Sequence, residues 1–171
     1  MIKLLLSLGL LCILTWPPKL EKKIHKVVED SYKVDNYNLN PISVDKKDCD
    51  ACKVEINDHL FSVTNEEGQQ GYIYVGIANS MKNTFDYVIA FDKEFKIINT
   101  KILIYREQHG RQIGSKRWLS QFFDKTPSSR VQLGENIDGI SGATISATNM
   151  TDAVNDVLIT LDHLKTKDAK F

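Results

Sequence analysis

Four stretches with the apolar spacing of β-strands, followed by one amphipathic helix pattern, constrain this chain more than any other feature. The strand candidates cover residues 59–63, 71–78, 85–91 and 96–105. Near the C-terminus, apolar residues recur at helical spacing: Val154, Val157, Leu158, Leu161 and Leu164. Consecutive strands joined by short turns pair in an antiparallel meander, and helices then cover the sheet. The pattern predicts an α+β fold: an antiparallel sheet meander with helices packed on it and an amphipathic C-terminal helix.

Two further helices and one linker are predicted around this pattern. Residues 19–32 place apolar side chains at helical spacing with lysines opposite, which indicates an amphipathic lead-in helix. Residues 115–123 fit a short aromatic helix, whereas 35–50 are polar and rich in turn-formers, which favours a linker. These changes in residue pattern divide the chain into three segments: a signal peptide or short membrane anchor (1–18), a lead-in helix and linker with a CxxC motif (19–53), and the main domain (54–171).

The first sixteen residues have the layout of a secretory signal peptide. Lys3 supplies one cation, and roughly a dozen mostly apolar residues follow as far as Trp16. A membrane-spanning helix needs about 20 such residues, so this run is short for an anchor. Pro17 ends the run without a small-residue cleavage site, so a short uncleaved anchor stays open; lipidation of Cys12 is disfavoured because Leu11 precedes it. We predict export to the periplasm or to the outer face of the cytoplasmic membrane.

Charge and composition exclude several functional classes. Lysine plus arginine and aspartate plus glutamate number 22 each, so the chain lacks the basic surplus typical of nucleic-acid-binding domains. Apolar residues make up 42% and charged residues 26%, which is the balance of a packed protein and not of a disordered one. The four histidines are scattered, and no hydrolase or zinc-protease motif occurs. We expect no nucleic-acid partner and no metal site.

The most unusual stretch, residues 134–148, is rich in glycine and hydroxyl side chains and leads directly into the last helix. Small residues let backbone N–H groups approach an anion, and a helix N-terminus favours negative charge. The P-loop pattern fails because Ile140 stands where that motif needs lysine, and the dinucleotide pattern G-x-G-x-x-G is absent. From the residues alone, a phosphate-binding turn and a purely structural helix entry both stay open.

Within this stretch, the residues DGISGAT at 138–144 resemble the flavinylation motif D-x-x-S/T-G-A-T/S of the FMN-binding domain family. That family includes subunits of sodium-pumping and Rnf-type respiratory complexes and small exported flavoproteins, and the resemblance covers residues 68–164. It implies a covalent FMN whose phosphate is esterified to the hydroxyl of Thr144. It also implies a maturation partner, an exported flavin transferase that uses FAD and Mg²⁺.

The same resemblance implies roles for the neighbours of Thr144. Gly142 and Ala143 leave room for the flavin and for the transferase. Asp138 serves recognition by the transferase, and Ser141 either bonds the phosphate or caps the last helix. A covalent tether suits an exported protein, which would lose a dissociable flavin to dilution.

A second similarity lies at residues 106–110, where the family often has a turn, E-T-x-G, that lines the flavin ring. Glu107 and Gly110 match this turn, whereas Gln108 replaces its threonine. His109 is a candidate for a contact that tunes the charge of the reduced ring, or else a loop histidine in solvent. The nearby aromatic residues are either stacking partners or, as we favour, mainly core: Tyr105, Trp118 and Phe122.

Cys49 and Cys52 form a C-x-x-C pair. One such pair cannot complete a four-ligand zinc site, and Lys53 stands where covalent haem attachment needs histidine. In an oxidising compartment we expect a structural disulfide. A dithiol that exchanges electrons is the alternative, disfavoured because the adjacent Asp48 and Asp50 oppose formation of the reactive thiolate.

Together these features predict an extracytoplasmic electron-transfer flavoprotein. We expect an electron carrier or oxidoreductase subunit more than a stand-alone enzyme, with no catalytic residue of its own and with a membrane oxidoreductase as electron donor. Two alternatives stay open: a flavoprotein subunit of an ion-translocating respiratory complex, and a non-redox binding or structural module of the same fold.

Overall fold

A five-stranded antiparallel meander, in which each strand pairs with the next along the chain, forms the centre of the computed structural model. The structure describes residues 16–167. The strands are β1 (Asn38–Pro41), β2 (Leu60–Asn65), β3 (Gly68–Asn79), β4 (Thr84–Phe91) and β5 (Ile97–Tyr105), and the helices are α1 (Pro18–Tyr32), α2 (Lys116–Leu119) and α3 (Thr144–Thr166). The predicted α+β meander with a C-terminal helix is confirmed.

The alternation of side chains along β3 assigns one helix to each face of the sheet. Tyr72 and Tyr74 point into a core shared with α3, whereas Ile73 and Val75 point into a core shared with α1. Four apolar residues of α1 face the sheet: Leu20, Ile24, Val27 and Val28. The sheet is therefore covered on both sides, and residues 71–76 of β3 and all of β4 except Thr84 are buried.

The segment predicted as a linker contributes the edge strand β1. Leu39 lies opposite Val63 of β2, and the strand is only four residues long and mostly exposed. Asparagine and proline dominate it, so it lacks the apolar alternation that identifies strands in a sequence. Its structure depends on pairing with the exposed edge of β2.

The predicted signal peptide or anchor, residues 1–18, lies almost wholly outside the described residues. Between residues 16 and 167, none of the helices combines the length and the apolar character needed to cross a membrane.

A disulfide joins Cys49 and Cys52, and the loop that it closes is fastened to the second half of α3. The Thr160 hydroxyl oxygen accepts hydrogen bonds from the backbone N–H of Lys53 (2.9 Å) and of Val54 (3.3 Å). His163 Nε2 lies 2.9 Å from a carboxylate oxygen of Asp50. This contact region is about 24 Å from the first residue of α3, at a rise of 1.5 Å per residue.

The double variant Cys49→Ser/Cys52→Ser should lose about 2 kcal/mol of unfolding free energy, because the disulfide closes a loop of only about four residues. Guanidinium unfolding of the oxidised wild type and of the variant measures this difference. Flavin content should stay unchanged because the loop lies far from the start of α3. If the variant kept full stability and lost electron transfer, a dithiol role would replace the structural one.

Candidate functional site

An open pocket of about 740 Å³ lies where three segments meet. Its lining comes from the turn between β3 and β4 (residues 81–83), from the loop that follows β5 (105–110) and from the start of α3 (142–146). The antiparallel meander brings the end of β3, the start of β4 and the end of β5 to the same edge of the sheet. Two separate sequence motifs thus meet in one pocket.

The N-terminus of α3 opens into this pocket. Gly142 has a φ of 76°, which glycine adopts readily, and this turn directs the chain into the helix. Ala143 precedes the first helical residue, and no side chain in the described part of the chain caps the helix there. The first-turn N–H groups of a helix have no acceptor within the helix. They therefore remain available to an anion in the pocket, whose charge the helix dipole favours.

Thr144 is the first residue of α3, and its side chain is exposed. Its hydroxyl has no hydrogen-bond partner among residues 16–167. The neighbouring hydroxyls already form hydrogen bonds. That of Thr148 donates to the Thr144 carbonyl oxygen (3.0 Å), and that of the buried Ser146 is hydrogen-bonded to the Tyr105 hydroxyl (3.0 Å). Within the pocket lining, Thr144 therefore presents the accessible, uncommitted hydroxyl.

Gly110 is the point at which the loop after β5 packs against the start of α3. Its φ is 78°, and a Cβ placed on it would lie 2.7 Å from the Tyr105 hydroxyl oxygen and 3.3 Å from Cβ of Ala143. A side chain there would separate the loop from the helix and disturb the bond between Tyr105 and Ser146. The residue is thus a glycine for a packing reason that the sequence similarity did not reveal.

Glu107 fixes the turn between β3 and β4. One of its carboxylate oxygens accepts hydrogen bonds from the Ser80 hydroxyl (2.8 Å) and from the backbone N–H of Asn83 (2.9 Å) and Lys82 (2.5 Å). These bonds, the one from the Lys82 N–H first among them, lower the pKa of Glu107 to about 2. The carboxylate therefore orders the turn that carries one wall of the pocket.

Replacing Glu107 with glutamine should make the free energy of unfolding depend less on pH in the acid range. The folded-state pKa is depressed, so the ionised carboxylate stabilises the fold fully above its ordinary pKa of 4.5 and loses that contribution as pH falls toward 2. In urea unfolding, the difference in unfolding free energy between wild type and Glu107→Gln should decrease as the pH is lowered from 4.5 toward 2. The exposed Glu135→Gln serves as a control that should follow the wild type. An unchanged difference across the interval would contradict the role of the carboxylate.

The rim of the pocket combines cations with exposed apolar side chains. Arg106 pairs with buried Asp86 at 2.6 Å and donates to the Thr84 carbonyl oxygen at 3.2 Å. Met81 is 72% exposed and Ile145 is 48% exposed, and both line the pocket. Both side chains therefore give the pocket an apolar surface beside the charged groups of the rim.

Not every residue singled out in the sequence lies in this pocket. Asp138 and Ser141 are exposed and lie outside the lining drawn from residues 16–167. The backbone of Asp138 is held by Trp118, whose indole N–H donates to its carbonyl oxygen (2.7 Å). Trp118 and Phe122 are buried in the core, whereas Tyr105 lines the pocket.

Sequence reasoning assigned no role to five residues of the lining: Met81, Lys82, Asn83, Arg106 and Ile145. Most of them lie in ordinary polar turns, so only their position in space distinguishes them. Across residues 16–167, no cluster of three or more His, Cys, Asp or Glu side chains is arranged to hold a metal ion.

In the comparison with known proteins, one family model matches part of this chain. Residues 81–159 match the model of the FMN-binding domain, a range that contains the whole pocket lining. The crystal structure of Shewanella oneidensis NqrC is similar to this chain with a TM-score of 0.48 and 19% identity, and the alignment covers 74% of this chain and 68% of that chain. No curated protein matches the chain. The resemblance inferred from residues 138–144 is confirmed by the family match.

Proposed function

Because this chain carries an FMN-binding domain at residues 81–159, we propose that it is an electron-transfer flavoprotein whose FMN is attached to Thr144 through a phosphoester. One observation carries the proposal. Thr144 presents an exposed, uncommitted hydroxyl at the mouth of the pocket, on the first residue of a long helix.

The residues of the pocket fit a phosphate-bearing flavin. The uncapped first turn of α3 supplies N–H donors for a phosphate, and the exposed Lys82 adds positive charge at the rim. Met81 and Ile145 offer apolar surface suited to a flat aromatic ring. The volume of about 740 Å³ lies within the range of about 300–1,000 Å³ that is usual for sites of small molecules and cofactors.

The bond that would attach FMN takes one atom from this chain, Thr144 Oγ1. With FAD as donor, Thr144 Oγ1 would bond to the phosphorus on the FMN side of the diphosphate, the bond from that phosphorus to the bridging oxygen would break, and AMP would leave. The transferase would take up the hydroxyl proton, and Mg²⁺ would supply charge neutralisation of the diphosphate. Thr144 and Asp138, six residues earlier in the motif, are both exposed, which gives such an enzyme access to it.

The chain's own residues then hold and orient the group. When bound, FMN supplies one- and two-electron transfer. Glu107 keeps the turn at 80–83 in place, Gly110 keeps the β5 loop against α3, and the ion pair of Arg106 with Asp86 holds the start of that loop against β4. No acid or base of this chain is needed, which suits an electron carrier or an oxidoreductase subunit.

We propose that the protein works outside the cytoplasm and receives electrons from a membrane oxidoreductase. The apolar run at residues 4–16 and the disulfide between Cys49 and Cys52 support an oxidising location. Labelling of intact cells with a membrane-impermeant biotin ester tests the location: the protein should be labelled, while a cytoplasmic marker in the same cells should not.

Anaerobic photoreduction of the protein purified after co-expression with a flavin transferase tests the redox role. The flavin absorbance should bleach and should return in full when a one-electron acceptor such as ferricyanide is added. A colourless protein, obtained while the transferase flavinylates a control substrate, would favour a non-redox module of the same fold.

A further inference from the structure

The solvent-facing side of α1 carries four lysines in one continuous row. Lysines spaced i, i+3, i+4 and i+7 lie on the same side of a helix. All four side chains are exposed, and we call this set the lysine stripe: Lys19, Lys22, Lys23 and Lys26. The apolar side of α1 is buried against the sheet, so the lysine stripe forms part of its solvent-exposed surface.

The lysine stripe opposes the dipole of its own helix. The N-terminal end of a helix carries partial positive charge, so lysines there cost stability, whereas lysines at the C-terminal end would contribute to it. In α1 the four lysines lie within the first nine of its 15 residues, its last turn has no basic residue, and Glu29 and Asp30 lie near its end. The helix dipole therefore gives the lysine stripe no stabilising contribution.

The lysine stripe also lacks anionic partners within the protein. Among the residues that the structure describes, none of the four lysines forms a salt bridge with a carboxylate. Lys23 donates a hydrogen bond to the Leu103 carbonyl oxygen, which leaves three ammonium groups uncommitted. A row of unpaired cations on a neutral protein suits an anionic surface.

The position of the lysine stripe along the chain indicates which surface that is. It begins three residues after Trp16, at the end of the apolar run of residues 4–16, and residues 17–26 contain four lysines and one acidic residue, Glu21. Lysine clusters directly beside a membrane-seeking segment are attracted to anionic lipids. We propose that the lysine stripe docks α1 on the anionic phospholipid headgroups of the membrane.

Docking through α1 leaves the pocket accessible. α1 packs on one face of the sheet and α3 on the other, and no residue of the lysine stripe lines the pocket. The proposal is therefore independent of flavin attachment: substitutions in the stripe should leave the flavin content unchanged, and loss of the flavin should leave lipid contact unchanged.

Lysine acetylation of the full-length chain in lipid nanodiscs tests the contact at individual residues. In discs that contain phosphatidylglycerol, a water-soluble acetylating ester should modify Lys19, Lys22 and Lys26 about fivefold more slowly than in pure phosphatidylcholine discs, and high salt should abolish the difference. Mass spectrometry reads each site. The exposed control lysines should react equally in both discs: Lys46, Lys53 and Lys93. Equal reaction of the stripe in both discs would overturn the proposal and leave an acidic protein as the partner.

Flotation with vesicles gives a second measurement on matched variants. The preference of the full-length chain for phosphatidylglycerol vesicles over phosphatidylcholine vesicles should fall about tenfold in Lys19→Gln/Lys22→Gln/Lys26→Gln. It should be retained in Lys46→Gln/Lys53→Gln/Lys93→Gln, which removes the same charge elsewhere. Equal preferences in the two variants would overturn the proposal. Flavin fluorescence of each variant, equal to the wild type, confirms that the fold and the pocket are intact.

Discussion

The Thr144→Ala variant, co-expressed with a flavin transferase, will give a dark band after denaturing electrophoresis where the wild-type chain gives a fluorescent one. Denaturation releases a flavin held by packing and hydrogen bonds, so in-gel fluorescence reports covalent attachment alone. Alanine removes the oxygen that would bond to phosphorus. We expect complete loss of the signal, because no other pocket residue presents an equally exposed and uncommitted hydroxyl.

Two matched variants separate the loss of this oxygen from general damage to the helix start. Thr144→Ser keeps the hydroxyl and should keep the fluorescence. Ser141→Ala removes an exposed hydroxyl three residues earlier, outside the pocket lining, and should also keep it. Circular dichroism of all three variants should match the wild type, because an exposed first-turn side chain contributes little to stability. A fluorescent Thr144→Ala band would exclude the phosphoester at this position.

The largest effect on stability is expected for Gly71→Ala in β3. A Cβ at this position would lie 2.2 Å from the carbonyl oxygen of Phe91 and 2.7 Å from the ring of Tyr32. The Tyr32 hydroxyl lies 2.6 Å from the Tyr72 carbonyl oxygen and 2.8 Å from that of Phe91, and it donates to both. The added methyl group must therefore displace a backbone carbonyl and break the contact that fastens the end of α1. We expect a loss of about 3 kcal/mol, or about 10 °C in Tm.

Chemical and thermal unfolding measure this loss, and two variants assign its cause. Gly114→Ala adds the same methyl group where no atom lies within 4 Å, and its stability should match the wild type within about 0.5 kcal/mol. Tyr32→Phe keeps the ring and removes the hydrogen bonds, so its loss should be about 1 kcal/mol and smaller than that of Gly71→Ala. Wild-type stability in Gly71→Ala would show that β3 and β4 are not packed as described.

Much of the fold could be predicted because it depends on local periodicity. The strands β2 to β5 and the helices α1 and α3 each carry enough apolar residues at one spacing to identify them. β1 could not be predicted, since its four residues have no apolar alternation and pair only because the edge of β2 is available. The same distinction applies to the site. Glu107, Gly110 and residues 142–144 belong to sequence motifs and could be predicted, whereas residues 81–83, in the turn after β3, belong to no motif and could not.

The sequence by itself determined the antiparallel meander and the resemblance to the FMN-binding domain family, and it predicts Thr144 as the attachment residue, because each depends on residues close together along the chain. Only the tertiary structure decided what surrounds Thr144. The turn at 81–83 and the loop at 105–110 lie beside the start of α3, and Asp138 lies outside the pocket. The Glu107 carboxylate accepts the hydrogen bonds that hold that turn. These results depend on contacts between residues tens of positions apart, and such contacts form only when the strands pair and the helices pack.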